Sequence, residues 1–254
     1  MTGLRSGTNA TDLIKAISPR EVTPLDIAER AGCTVMSVMT EALTGNVTSV
    51  SRIANLANPD APFEQGTVAN QATMVDSATF GRKTLEFDAA RDRYYTLGTT
   101  VDYASAFSLL AVFRPGVVDT LMNVLGDEDT VTATRAGLHM QTNGKLRARI
   151  GSSVVGSETL TADTWYAAIM SFNGSDSMTI EVMGQSAVTG AVSGSVTGTA
   201  LRISDNTGAF GLDGQVDMAA MFNVELHATA QADLLADVKL MLAQTYDTTV
   251  TGLV

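Results

Sequence analysis

One cysteine, two histidines, four lysines and one tryptophan are all that 254 residues contain of those types. A single cysteine allows no internal disulfide. Cys33 has no histidine or basic cluster beside it in sequence, so it reads as a small buried hydrophobe and not as a nucleophile. The two histidines, His139 and His227, are far apart and neither stands in a metal-ligand spacing. His139, next to Met140, is expected at an outward or edge position of a strand, structural or solvated. Basic charge is scarce too. Sixteen Lys and Arg face 27 Asp and Glu, for a net charge of −11. Such a chain repels a phosphate backbone, which argues against general nucleic-acid binding. No apolar run approaches the roughly 18 residues of a membrane span. The opening Met1–Ala10 carries no apolar stretch of a secretory signal, so folding in a cytoplasm is expected.

Catalytic templates are missing as well. No Gly-x-Ser-x-Gly elbow occurs, since Gly151-Ser152-Ser153-Val154-Val155 lacks the second glycine. Gly144-Lys145 is followed by Leu146 and lacks the preceding glycine of a phosphate loop. Aromatic residues make up 6%, which leaves few platforms for stacking on sugars. Of Tyr94, Tyr95, Tyr103 and Trp165, the tryptophan sits in a run apolar on both faces and reads as core. Tyr94 or Tyr103 is the candidate for a rim.

What the chain does have is threonine and alanine, 33 of each, and 12 methionines. Strand faces that carry Thr and Ser in place of charge can pack on a neighbour or on sugars at little desolvation cost. Thr23-Pro24-Leu25-Asp26 is a helix start: a capping hydroxyl, a proline suited to the first turn, and an acid at the positive end. Gly32 can end that helix. A second helical stretch is expected over Val35–Leu43, with Val35, Val38, Met39 and Leu43 at helical spacing. Residues 1–20 hold one apolar cluster, Leu13, Ile14 and Ile17. So little apolar surface cannot hold an independent core, and the segment must lean on the main domain, on another copy or on a partner.

From residue 44 the period changes to two. Strands are expected at Thr84–Asp88, Phe107–Phe113, Leu146–Ile150, Trp165–Phe172, Met178–Val182, Leu201–Ile203 and Gln215–Phe222. In the last of these Val216, Met218, Ala220 and Phe222 are placed on one side. Turns fall at Asn143-Gly144, Asn173-Gly174, Met183-Gly184 and Asn206–Gly208. Residues 186–200 read as an edge strand with loops. Two-sided apolar strands need cover on both faces, which favours an antiparallel sandwich. A closing helix is expected from about Ala230 to Leu242, capped by Thr229, with Leu234, Leu235, Val238, Met241 and Leu242 as its apolar stripe.

The order of these segments from about Gly45 to Met241 resembles the concanavalin A-like (laminin G-like) jelly-roll superfamily, in the versions found in bacteriophage virion proteins. The matching stretches are Gly45–Val50 with Asn70-Gln71-Ala72-Thr73, Thr84–Tyr94 with its Phe87-Asp88, Phe107–Pro115, Trp165–Ala168, Met183-Gly184 and Phe210–Asp217. Ala89 stands where glycine is usual, and Phe113 where tryptophan is.

The resemblance implies a mainly β protein: an antiparallel jelly-roll β-sandwich over residues 43–254, with a short helical N-terminal arm, residues 1–42, and a C-terminal helix. It implies a structural virion protein of a tailed phage or phage-like particle, a fibre, spike or decoration protein. Residues 1–42 would dock to other virion proteins and the jelly roll would project, binding surface glycans in one version. A homotrimer is the expected assembly, and deletion of residues 1–42 is expected to leave a folded sandwich that no longer attaches. The alternatives are a stand-alone carbohydrate-binding module and, less well supported, a glycoside hydrolase.

Glucanases of the superfamily carry Glu-x-Asp-x-x-Glu on one strand. The nearest string here, Glu86-Phe87-Asp88-Ala89-Ala90-Arg91, ends in a residue that cannot donate a proton. No catalytic residue, cofactor or metal is therefore assigned. The acidic turn Asp127-Glu128-Asp129 raises calcium, but it lacks the alternating ligands and glycine turn of a calcium loop and reads as a solvated turn.

Overall fold

Alternating burial along the chain follows from two sheets packed face to face. The computed structural model describes residues 20–39, 43–46, 49–91, 93–127, 135–193, 196, 198–205, 210–246 and 250. Within them the strands are β1 Cys33–Val38, β2 Leu43–Asn46, β3 Ser49–Ile53, β4 Phe63–Glu64, β5 Thr73–Ser77, β6 Arg82–Phe87, β7 Tyr95–Leu97, β8 Phe107–Pro115 and β9 Met122–Asp127. They continue as β10 Ala136–Met140, β11 Lys145–Ile150, β12 Ser153–Thr159, β13 Tyr166–Phe172, β14 Ser177–Val182, β15 Val188–Ala191, β16 Arg202–Ile203 and β17 Gly214–Phe222. One sheet runs β15-β14-β13-β8-β17-β6-β5, with β1 also paired to β17; the other runs β12-β11-β10-β9-β16-β7-β4-β3-β2. Every pairing is antiparallel. The fold is the expected jelly-roll sandwich with a short N-terminal helix and a C-terminal helix.

Strand β11 shows why the alternation reads so cleanly. Leu146, Ala148 and Ile150 are buried, while Lys145, Arg147 and Arg149 are partly exposed on the outer face. The two-sided strands have a different cause from the one expected. A sandwich covers only one face of each sheet. Leu109, Ala111 and Phe113 of β8 and Ala168, Met170 and Phe172 of β13 fill the space between the sheets. Leu110, Val112, Ala167 and Ile169 point the other way, into a second core closed by the two helices. In β17 a bulge between Val216 and Met218 flips the register. Val216 therefore faces the sandwich interior, and Met218, Ala220 and Phe222 face the helices, so these four residues do not share one side.

The N-terminal helix, Pro24–Ala28, is capped by Thr23 as expected, and Asp26 completes a capping box. Asp26 N–H donates to Thr23 Oγ1 (3.2 Å) and Thr23 N–H donates to Asp26 Oδ2 (2.7 Å). Gly32, at φ +99°, then reverses the chain. The second helix expected over Val35–Leu43 is not formed by its described residues, 35–39 and 43. Cys33–Val38 is β1, hydrogen-bonded along β17 from Phe222 back to Met218. The physical reason is that β6 covers only Gly214–Val216 of β17 and leaves the rest of that edge to be paired. Val35 and Met39 enter the inner core, and Met36 and Val38 the outer one.

Residues 20–39 thus lean on the main domain. Arg20 donates two hydrogen bonds to Asp237 (2.8 and 3.0 Å), and Arg30 pairs with the same carboxylate. Val22 N–H donates to Gln244 Oε1 (2.7 Å), and Gln244 Nε2 donates back to the Arg20 carbonyl (2.8 Å). Residues 1–19, with Leu13, Ile14 and Ile17, lie outside the described residues.

The C-terminal helix spans Ala232–Tyr246, longer than expected at its far end, and is preceded by a 3-10 turn at Thr229–Gln231. Thr229 lies inside that turn and does not cap it; Ala228 holds the cap position. Val238, Met241 and Leu242 are buried against the sheet, and Leu234 and Leu235 are half-buried. Tyr246 locks the helix end. Its hydroxyl donates to Asp217 Oδ2 (2.7 Å), which also pairs with Arg82 (2.5 Å), and the Arg82 guanidinium lies over the Tyr246 ring.

Candidate functional site

At one end of the sandwich the chain leaving β7 passes close to the turn before β4. Gly98 N–H donates to the Pro62 carbonyl (2.8 Å), and a side chain on Gly98 would stand 3.3 Å from that oxygen. Two further backbone bonds pin the segment, Leu97 N–H to Leu201 O (2.9 Å) and Val101 N–H to Thr199 O (2.8 Å). Asp102 then makes a tight turn, its Oδ1 accepting from Ala104 N–H (2.8 Å). Tyr103 is drawn inward, where its hydroxyl donates to Ala200 O (2.9 Å) and its ring packs edge-on against Phe107. These fixings hold Thr99, Thr100 and Asp102 outward as one wall.

The opposite wall is Thr34 of β1, Asn58 and Asn223. Between the walls lies a cavity of about 300 Å³ floored by Val35, Leu97, Val101 and Met221. Thr99, Thr100 and Asn223 have no side-chain hydrogen bond within the described residues, and all three are exposed. Hydrogen bonds from Ser105 and Ala104 hold the Asp102 carboxyl below the usual carboxylate range. The cavity therefore offers hydroxyls, amides and one ionised carboxylate over an apolar floor. None of its lining residues was singled out from the sequence. The signals that point to it are the threonine excess and the Gly98-Thr99-Thr100 break after a strand. Val35 was hidden by the helical reading of Val35–Leu43.

The string compared with the glucanase motif lies at the other end of the first sheet. Glu86 and Asp88 border a depression of about 400 Å³ with Arg114, Asp163 and Asp213. Arg114 is committed to Asp163, through its Nη2 (2.5 Å) and through Nε to the carbonyl (3.1 Å). Burial first, then the charges of Asp88 and Asp163, push the Asp213 carboxyl up. No group of three or more His, Cys, Asp or Glu among the described residues is placed to hold a metal ion.

Of the acidic turn, Asp127 is buried and paired with Arg202, and its Oδ2 accepts from Ala200 N–H (3.3 Å). Asp127 is therefore not part of a solvated turn. Glu128 and Asp129 lie outside the described residues.

His139 is structural, one of the two readings the sequence allowed, but it is buried and β10 is not an edge strand. His139 lies inside β10, between β9 and β11, fully buried with neither ring nitrogen partnered. Burial, then the charges of Arg149, Arg147 and Arg135, push its pKa down to about 3. His227 joins a chain of contacts that no linear motif announces. Ser108 Oγ lies 2.8 Å from Ser171 Oγ, Ser171 Oγ 2.7 Å from His227 Nδ1, and His227 Nε2 3.1 Å from Glu181 Oε2. Lys239 donates to the other Glu181 oxygen (2.7 Å). Burial raises the Glu181 carboxyl, but the bonds from His227 and Lys239 outweigh it and hold it low. The spacing copies a nucleophile–base–acid relay. Ser171 and Ser108 are fully buried, however, and Ser108 also binds the Val224 carbonyl and the Leu226 N–H. A substrate carbonyl has no route to Ser171, and the chain of contacts fastens the Val224–His227 segment and the C-terminal helix to the sheet.

The remaining candidates resolve simply. Burial pushes the Cys33 thiol up to about 12, which leaves almost no thiolate at neutral pH. Trp165 is core, packed on Phe80 with ring centroids 4.5 Å apart. Tyr103 and Tyr95 are buried, and Tyr94 is half-buried.

No family model matches the chain, and no curated protein matches it in sequence. Solved structures match its fold. The binding domain of Paraclostridial Mosquitocidal Protein 1 superposes with a TM-score of 0.56 at 12% identity, over 82% of this chain and 51% of that one. Trypanosoma rangeli sialidase gives 0.58 at 14% identity over 88% of this chain and 34% of that one. The same sialidase with 2,3-difluorosialic acid gives 0.60 at 15% identity, with the same coverage. The chain thus spans about half the length of the first and a third of the second. At these identities the likeness is one of fold.

Proposed function

We propose that this chain is a non-catalytic recognition sandwich that binds glycans through the cavity between Thr34, Asn58, Thr99, Thr100, Asp102 and Asn223. The observation that carries the reading is the cavity's chemistry. Unspent hydroxyl and amide groups stand over an apolar floor, which suits a ligand with many hydroxyls and one less polar face. Two of the matching structures are named as a binding domain and a sialidase, and that supports the reading by analogy of fold only. The experiment is a glycan array probed with the full chain and with Thr100→Arg, which puts a long side chain into the cavity. Array signals that disappear in the variant support the reading; an array without signals, or signals indifferent to the variant, refute it.

For its setting we propose a virion of a tailed phage or phage-like particle, assembled in a host cytoplasm. Within residues 1–42 the attachment falls to the part ahead of residue 20, since residues 20–39 are packed into the sandwich, which projects as part of a fibre, spike or decoration protein. The strand-and-turn motifs Phe87-Asp88, Trp165–Ala168 and Phe210–Asp217 support that setting. Electron microscopy of particles, with labelling by an antibody to this chain, tests it. Label on the particle surface supports the setting, and a soluble pool absent from particles refutes it.

A further inference from the structure

The cavity at the end of the sandwich is lined by seven polar side chains, and only Asp102 among them is charged. Among the described residues no lysine or arginine lines it, on a chain whose net charge is −11. An acidic sugar is ordinarily held by arginine or lysine, or by a cluster of donors that neutralises its carboxylate. Here the turn Asp102–Ser105 fixes a carboxylate at the rim instead, through the Ala104 amide. Thr34 has already committed its hydroxyl proton to the Met221 carbonyl (3.2 Å), so toward the cavity it presents lone pairs. Asn58 Oδ1 accepts from Asp60 N–H (3.3 Å), which leaves its NH₂ for a ligand. A ligand must therefore supply O–H donors for Asp102 and Thr34, and acceptors for Asn58, Thr99, Thr100 and Asn223. A sugar hydroxyl does both.

We infer that the cavity selects neutral glycans and rejects acidic ones, with Asp102 as the specificity-determining residue: it accepts hydrogen bonds from sugar hydroxyls and repels a carboxylate. This rests on the glycan-binding reading above and narrows it. The floor of Val35, Leu97, Val101 and Met221 takes the C–H face of the ring, in the place where an aromatic platform would otherwise stand. About 300 Å³ is room for one or two sugar units, so recognition is of a terminal or a short internal motif.

The test uses the full chain against matched pairs of immobilised oligosaccharides that differ only in carrying a terminal sialic acid or a uronic acid in place of a neutral sugar. Wild type, Asp102→Asn and Thr100→Arg are compared. Asparagine preserves the turn acceptor and removes the charge, and unchanged melting of both variants confirms that the exposed rim has not unfolded. The expected result is binding of the neutral member at least tenfold tighter than the acidic one. That preference should shrink toward unity in Asp102→Asn, and Thr100→Arg should bind neither. If the acidic member binds as well as the neutral one and Thr100→Arg abolishes both, the selectivity is overturned while the glycan-binding reading stands. If no member binds, or if Thr100→Arg has no effect, both fall.

Discussion

Replacing Met36 by alanine separates a structural β1 from a detachable arm. Met36 is fully buried in the middle of β1, paired with Ala220, and its side chain fills the outer core beneath the helices. Its backbone N–H donates to Asn55 Oδ1 (3.0 Å), a bond that alanine keeps, so the substitution removes packing alone. Truncating a buried methionine costs about 2–5 kcal/mol in transfer and cavity terms. For a chain of this size each kcal/mol lowers the melting temperature by about 2–4 °C. The expected drop in Tm is thus roughly 4–20 °C by calorimetry, in a single transition. Leu25→Ala, on the adjacent helix but 53% exposed, is the control and should stay within about 0.5 kcal/mol of wild type. A Met36→Ala protein that melts with wild type would mean that β1 lies outside the cooperative unit.

Deletion of residues 1–19 should leave the melting transition in place. Deletion of residues 1–42 should abolish it, because it strips β1 from β17 and removes Val22, Ile27, Val35, Met36, Val38 and Met39 from the two cores. His139 should make stability pH-dependent. Its folded pKa of about 3 lies below the ordinary 6.5, so the folded state refuses a proton that the unfolded chain accepts. Stability is full above pH 6.5 and declines as the pH falls toward 3, by roughly 5 kcal/mol if the whole interval is traversed. His139→Phe should flatten that decline in urea titrations run at pH 7, 6, 5 and 4, and an undiminished decline would refute the assignment. Cys33 should resist iodoacetamide at pH 8 in the native chain and react readily in denaturant, since burial pushes its thiol up to about 12. Fast native alkylation would contradict the burial.

The strands were legible where burial on one face forces alternation, as in Leu146–Ile150, and where glycine turns such as Gly144 and Gly174, both at positive φ, punctuate them. Val35–Met39 misled because a strand buried on both faces has no alternation to show, and Val35, Val38 and Met39 also fit a helical stripe. The two-sided character of β8 and β13 was visible, but its cause was not. Nothing local says that the cover is a pair of helices joined by Arg20, Arg30 and Asp237 across more than 200 residues. The same holds for Ser171, His227 and Glu181, which meet only through the sheet register and the packing of the Val224–His227 segment. The cavity is the least legible feature, since it combines β1, the segment after β3, the segment after β7 and the end of β17.

The most direct test of the account is a crystal structure of the full chain soaked with a neutral oligosaccharide taken from the array. Density for the sugar is predicted over Leu97, Val101 and Met221, with hydroxyls within hydrogen-bond distance of Asp102, Thr99 or Thr100 and Asn223. Density only elsewhere, in the depression beside Arg114 and Asp213 or on the outer face of the second sheet around Arg147, would contradict it.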